Sequence, residues 1–386
     1  MLDFRELRDQ FDAFSDYQAE EQKRRAWQLE EACDVLSSCD GDWRSLRREA
    51  NAADTSWLVA RLRSAPAETC AAAERPTPIT VVATDGSQIY PDRHVEPNCF
   101  LLNVSRVAFQ YGTTEPPVMD AEADFHFRRD ELADLFDQEA GAISAEVVSA
   151  MRDEWELRML LETAREARAD GRPIMALADG TLIRWMLRGM RNPDIEEQLI
   201  ENYTGLLEEF RKEKIPLASY VSMPANTEVV NLLRVLRGEA SEEPPERELE
   251  GLVDRWVFRR TLDPGERTAV FESASHIQSE YGDDPICYFY VSLPAPGRSG
   301  PEIGRVEMPR WIADSPRHVE HLHALICDEC EKGGGYPMIL SEAHEEAVIR
   351  ASEREQFYHH LEYRARERDV PYRTSRKRAA KQRPMA

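Results

Sequence analysis

The chain has 386 residues, with 49 Lys and Arg against 72 Asp and Glu for a formal net charge of −23. At 42% hydrophobic and 31% charged residues it has the composition of a globular protein, which excludes a disordered or fibrous chain. No run of about 18 apolar residues occurs and the start, MLDFRELRDQFDAF, is charged, so no membrane span, signal peptide or lipid anchor is expected and the cytoplasm is the expected compartment.

Residues 1–65 read as two helices: Phe4, Leu7, Phe11 and Phe14 recur at helical spacing, and Trp57, Leu58, Ala60 and Leu62 close a second amphipathic run. After a Pro-broken stretch the period changes. Ile79–Thr84 is a short apolar, β-branched run stopped by Asp85-Gly86-Ser87, and strands are predicted again at Phe100–Phe109 and Val118–Phe127, which favours an antiparallel meander. Arg128 to Asp170 is rich in helix formers, and Ile174–Ala178 is a buried strand closed by Asp179-Gly180. Helices are predicted at about 181–190, 194–213 and 226–237, with a strand at Leu217–Val221.

The acidic, Pro-containing segment 238–250 reads as a solvated loop. Strands at Ile286–Leu293 and Ile303–Met308 precede a helix at about 316–331, and Gly333-Gly334-Gly335 leads to one long helix from about Ser341 to Arg368. From Arg364 to Ala386 nine basic residues stand against Glu367 and Asp369. The domain expectation is a helical region at 1–75, a mixed α/β domain at 76–368 and a flexible basic tail at 369–386.

Two groups of residues could carry chemistry. Asp85 and Asp179 each end an apolar strand, and if the strands are neighbours both carboxylates emerge at one sheet edge, where they supply the oxygen ligands that Mg²⁺ or Mn²⁺ takes. The competing reading of each Asp-Gly pair is an ordinary turn. The second group is Tyr336 and His344, where a Gly-rich hinge feeds a helix whose first turns would present the imidazole near the positive end of the dipole. Seven scattered cysteines read as reduced thiols, and His318, His321, His323, Cys327 and Cys330 do not converge on a zinc at 100° per residue. Walker A and G-x-S-x-G signatures are absent.

These pieces together resemble the NurA nuclease family. The resemblance runs from about Pro78 to Glu362 and rests on Asp85-Gly86-Ser87, Asp179-Gly180-Thr181-Leu182, Tyr220-Val221-Ser222 and Tyr336-Pro337 … Leu340 … Ala343-His344. It implies a ribonuclease-H-like mixed sheet flanked by helices, a homodimer, and a 5′–3′ exonuclease or single-strand endonuclease that cuts DNA with two Mn²⁺ (or Mg²⁺) ions. It also implies a partner, the hexameric HerA ATPase, in end resection. On this resemblance Asp85 and Asp179 are metal-binding aspartates and Tyr336 and His344 the late catalytic pair.

A family glutamate before the second aspartate has several matches. Glu162 is preferred, because Arg158-Met-Leu-Leu-Glu162 looks most like the family segment and lies 17 residues before Asp179; Glu156 comes second. Ser87, Arg184 and Arg188 are read as substrate contacts, the arginines on one face of the helix after Asp179. Two rival readings are a catalytically silent adaptor of a DNA-translocating ATPase and a metal phosphoesterase acting on small nucleotides.

Overall fold

The computed structural model describes residues 4, 7–92, 95–96, 98–128, 136–137, 142–168, 171–190, 192–241, 245, 248–294, 300–370 and 373–374. The chain divides into two compact units, one of residues 75–220 with 328–386 and the other of residues 1–74 with 221–327.

In the first unit, β1 (Ile79–Thr84) is wholly buried, as its uninterrupted apolar run requires. After Asp85 the chain continues as β2 (Gly86–Ile89), and β1 and β2 together line one edge of the long β3 (Phe100–Tyr111), antiparallel to it. The other edge of β3 pairs with β4 (Val118–His126), which completes the meander. Helix α1 (Ala145–Arg168) then crosses to β5 (Ile174–Asp179), parallel to β1, and α2 (Pro193–Glu213) crosses to β6 (Leu217–Val221), parallel to β5. The result is a mixed sheet in which the four strands of the antiparallel part, β1 to β4, are extended by the parallel β5 and β6.

The faces of β3 show how this sheet is covered. Phe100 and Leu102 pack with Val148, Met151 and Trp155 of α1, whereas Asn103 and Ser105, which alternation turns to the other face, hydrogen-bond to α3 (Met338–Ala347). Each fully buried apolar side chain on the α1 side contributes roughly 1.5–3 kcal/mol. A further helix, α4 (Ala351–Glu367), follows after an extended turn.

That turn breaks the single helix predicted from Ser341 to Arg368. The cause is tertiary: Ser87 Oγ (2.5 Å) and Asn103 Nδ2 (2.8 Å) donate to the Ala347 carbonyl, and Ser105 Oγ (2.7 Å) to that of Ala343, so sheet side chains satisfy the last carbonyls of α3. The helix predicted at 181–190 is also absent, replaced by one 3₁₀ turn at Trp185–Leu187.

The second unit holds the N-terminal helices Arg8–Ser37 and Trp43–Ala52 together with residues 221–327. Trp57–Leu62 does not extend a helix; Arg61-Leu62 is instead a short strand antiparallel to Phe271-Glu272. That strand borders Ile286–Leu293, itself paired along its length with Glu302–Pro309. Leu62, Leu232, Leu233, Phe258, Phe271, Tyr288 and Tyr290 form the core of this unit.

The acidic segment is pinned rather than simply solvated: the Glu239 carboxylate is fully buried between Arg234 (2.7 Å) and Arg237 (2.9 Å), and it accepts a hydrogen bond from the Leu249 amide. Residues 242–244 and 246–247 lie outside the described residues. So does the basic tail after Val370, except Arg373-Thr374, which pairs antiparallel with Val95-Glu96.

Candidate active site

Asp85 lies at the junction of β1 and β2, opposite Ser105 of β3. The Ser105 amide donates to the Asp85 carbonyl (2.9 Å) and the Asp85 amide donates to Ser105 Oγ (3.1 Å), so the bend is held from both sides. Thr84 and Ala178 are register partners in the parallel pair, which brings Asp85 and Asp179 to one level on strands about 4.8 Å apart.

The two Asp-Gly pairs solve different problems. Gly180 has φ +76° and ends β5 as a turn, its amide donating to the Tyr220 carbonyl (2.9 Å). Gly86 has no positive φ and lies within β2. Its lack of a side chain serves close approach, because a Cβ there would overlap Glu156 Oε1 and crowd Arg152 Cγ. The missing methyl lets Glu156 of α1 come down on the strand next to Asp85.

Around these carboxylates the chain supplies donors. His344 Nδ1 is 2.7 Å from Asp85 Oδ2, with the imidazole largely exposed. The Tyr336 hydroxyl donates to Asp179 Oδ1 (2.7 Å), and its ring meets Tyr220 edge-on. Arg152 Nε lies 2.8 Å from Glu156 Oε1, one turn away on the same helix, and Arg152 also donates to Asp153 (2.7 Å) and Gln88 (3.0 Å). Glu329 Oε2 accepts from the Ile339 amide (2.9 Å), which fixes the first turn of α3 beneath His344 and Tyr336.

Charge crowding marks this cluster. Burial raises the Glu156 carboxyl well above the usual carboxylate range; Arg152 pulls it back, and Asp153 and Asp85 push it up again. Asp179 keeps part of its carboxylate in solvent, yet the surrounding wall raises its pKa; the Tyr336 hydroxyl opposes this and Asp85 adds to it. Burial, reinforced by Asp179, raises the Tyr336 hydroxyl and keeps it protonated as a donor.

Asp85, Asp179, Tyr336 and His344 come together. Glu162 does not join them: it is exposed, and six residues beyond Glu156 it points about 120° away around α1. Glu156 takes the place expected of Glu162. His344 lies in the last turns of α3 rather than the first, so the positive end of the dipole does not act on it. Ser87 is spent on the Ala347 carbonyl.

Arg184 is buried against Asp153 (3.1 Å) and over the Tyr203 ring (5.2 Å), while Arg188 pairs in the open with Glu196 (3.0 Å), so the two arginines share no helical face. Sequence reasoning missed Arg152 and Asp153, which link Glu156 to Arg184 as an alternating chain of charges. The Arg152/Glu156 spacing of four was the available signal.

The model of the NurA domain family matches residues 79–349, which contain all these carboxylates together with Tyr336 and His344. The chain belongs to the NurA domain family. Among solved structures it is similar to the crystal structure of the NurA nuclease from Sulfolobus solfataricus, at 12% identity and a TM-score of 0.50, over 94% of this chain and 95% of that one. It also matches a type 1 RNase H with the type 2 active-site motif, LC9-RNase H1, at 14% identity and a TM-score of 0.20, over 46% of this chain and 78% of that one. No curated protein matches the chain. The mixed sheet flanked by helices is the arrangement expected from the sequence. No helix among the described residues is long and apolar enough to cross a membrane.

The donor types suit a hard divalent cation: Asp85 and Asp179 lie level at two adjacent strand ends, Glu156 comes down beside Gly86 from the helix packed on them, and burial together with the charge of Asp85 raises the pKa of Glu156 and Asp179. Among the described residues no three His, Cys, Asp or Glu side chains form a set able to hold a metal ion as they stand. Glu156 is turned to Arg152 and Asp85 to His344.

Proposed function

We propose that this NurA domain hydrolyses phosphodiester bonds in DNA, with Asp85, Asp179 and Glu156 holding Mn²⁺ or Mg²⁺. The observation that carries the reading is the level placement of Asp85 and Asp179 on parallel neighbours with Glu156 brought in over Gly86. When bound, such ions lower the pKa of an attacking water and offset charge on the phosphate. Glu156 and Asp85 would exchange their contacts with Arg152 and His344 for the cation.

The remaining work falls to the chain itself. Tyr336 fixes the orientation of Asp179 through its hydroxyl, and its raised pKa keeps that proton in place. His344, mostly open to solvent beside Asp85, is placed to hold a proton on its imidazole or to contact the scissile phosphate. Arg152 balances Glu156 and Asp153 and so positions the glutamate rather than touching substrate. Membership in the NurA family supports a homodimer working with a HerA-type hexameric ATPase in DNA end processing; size-exclusion of the two proteins mixed tests that partnership.

The hydrolytic reading is tested by incubating end-labelled linear DNA with the protein in Mn²⁺, Mg²⁺ or EDTA, with and without the ATPase, alongside Asp85→Asn. Cleavage that needs the metal and disappears in the variant supports it. Equal inertness of both proteins in every condition transfers the reading to an adaptor subunit.

A further inference from the structure

A cleft of about 310 Å³ in the unit of residues 1–74 and 221–327 is walled by Arg47, Arg61, Leu62, Arg63, Glu272 and Arg310. Glu272, nine-tenths buried, is shared by three guanidiniums. Arg61 Nη1 is 3.1 Å from Oε1, while Arg310 Nη2 (2.8 Å) and Arg63 Nη1 (3.7 Å) approach Oε2. Arg63 also pairs with Asp314. Arg47, exposed on the helix Trp43–Ala52, makes no side-chain ion pair among the described residues.

Four guanidiniums therefore face two carboxylates, a local excess of two positive charges in a chain that carries −23. An ordinary structural ion pair balances its charges; this arrangement leaves a surplus around a concave space. Glu272 holds three planar forks in fixed positions, so little side-chain freedom is lost when an anion arrives. Planar forks with several N–H donors match the oxygens of a phosphate group.

We propose that this cleft binds phosphate and, on the nuclease reading above, takes the phosphodiester backbone of a DNA strand as a second contact outside the catalytic unit. In a chain of net charge −23, such a local positive surplus gives that strand an attractive contact outside the catalytic unit.

The test reads binding without cleavage: fluorescence anisotropy of a labelled 20-nucleotide single strand in EDTA, over a salt series, with wild type and Arg47→Gln/Arg61→Gln. Lys212→Glu, an exposed charge reversal on α2, is the control. The double variant should bind about tenfold or more weakly at moderate salt, and its log–log salt slope should be shallower by about 1.4, the value for two phosphate contacts on a single strand. Hydrolysis of bis(p-nitrophenyl) phosphate, which needs only the catalytic carboxylates, should be unchanged in the variant.

Equal affinity and slope in wild type and variant overturn the proposal, and an acidic peptide then becomes the better occupant. Displacement of the labelled oligonucleotide by inorganic phosphate or ATP at micromolar levels overturns the strand assignment in favour of a free phosphate or nucleotide. Loss of small-diester hydrolysis in wild type, with DNA binding still lost in the variant, defeats the nuclease reading alone. Arg47→Lys/Arg61→Lys, which keeps charge and fold, should recover most of the affinity.

Discussion

Each unit of this molecule gathers carboxylates, and it treats them in opposite ways. In the unit of residues 1–74 and 221–327, Arg305 is fully buried with Glu228 (2.9 Å) and Glu307 (2.8 Å) and lies 3.5 Å over the Tyr288 ring. Ser273 and the Ala274 amide complete Glu228, and the Val229 and Val230 amides with the Tyr290 hydroxyl complete Asp254. In the NurA domain, Asp85 and Asp179 at two strand ends and Glu156 on α1 crowd together; burial first, and then the charge of Asp85, raises the pKa of Glu156 and Asp179, and His344 beside Asp85 is largely exposed. In the first network every carboxylate is buried and hydrogen-bonded from within the fold; in the second, Asp85 and Asp179 lie at an edge that solvent reaches.

The sharpest break of this comparison is Asp85→Asn, which should lower kcat for DNA cleavage by about 10³-fold or more while leaving urea unfolding nearly unchanged. Arg305→Met should do the reverse. It strands Glu228 and Glu307 in the core and should cost about 3–5 kcal/mol in urea unfolding, with the remaining folded protein still active. If Arg305→Met were neutral for stability, the closed network would not be structural.

Glu156→Gln should lower activity by about 10–100-fold, whereas Glu162→Gln should stay within about twofold. Side-by-side single-turnover rates decide between the two positions. Gly86→Ala sharpens the contrast of the glycines: the added methyl meets Glu156, so activity should fall about tenfold, while Gly180→Ala at φ +76° should mainly cost about 1 kcal/mol of stability.

A pH dependence tests the second unit separately. Burial, with help from Arg267 and against a bond to the Gly265 carbonyl (2.9 Å), lowers the His323 pKa to about 4. The unfolded chain takes up that proton near about 6.5, so His323 leaves stability whole above this pH and drains it as pH falls toward 4, by up to about 3 kcal/mol. Urea midpoints at pH 7 and pH 4.5 should differ less in His323→Gln than in wild type.

Much of the fold was legible because its central strands are unbroken apolar runs: Ile79–Thr84, Leu217–Val221 and Ile286–Leu293 lie where composition puts them. The departures have tertiary causes. The stop at Ala347 comes from Ser87, Asn103 and Ser105 on the sheet, with the restart marked locally only by Glu353 accepting the Arg350 amide. Arg184 leaves a regular helix because Asp153 and Tyr203 draw it inward.

The site was half legible for the same reason. Asp85 and Asp179 announce themselves at strand ends, but the two Asp-Gly pairs look alike in sequence and differ in role. The choice between Glu156 and Glu162 depends on which face of α1 meets Gly86, which the spacing to Asp179 does not reveal.

The most direct test of the central claim is a Mn²⁺ titration followed by loss of the free-ion electron paramagnetic resonance signal, comparing wild type, Asp85→Asn and Arg305→Lys. The account predicts saturable uptake by wild type and Arg305→Lys and at least a tenfold weaker uptake by Asp85→Asn. Equal uptake by wild type and Asp85→Asn would contradict it, because the strand-end carboxylates would then not be the metal's ligands.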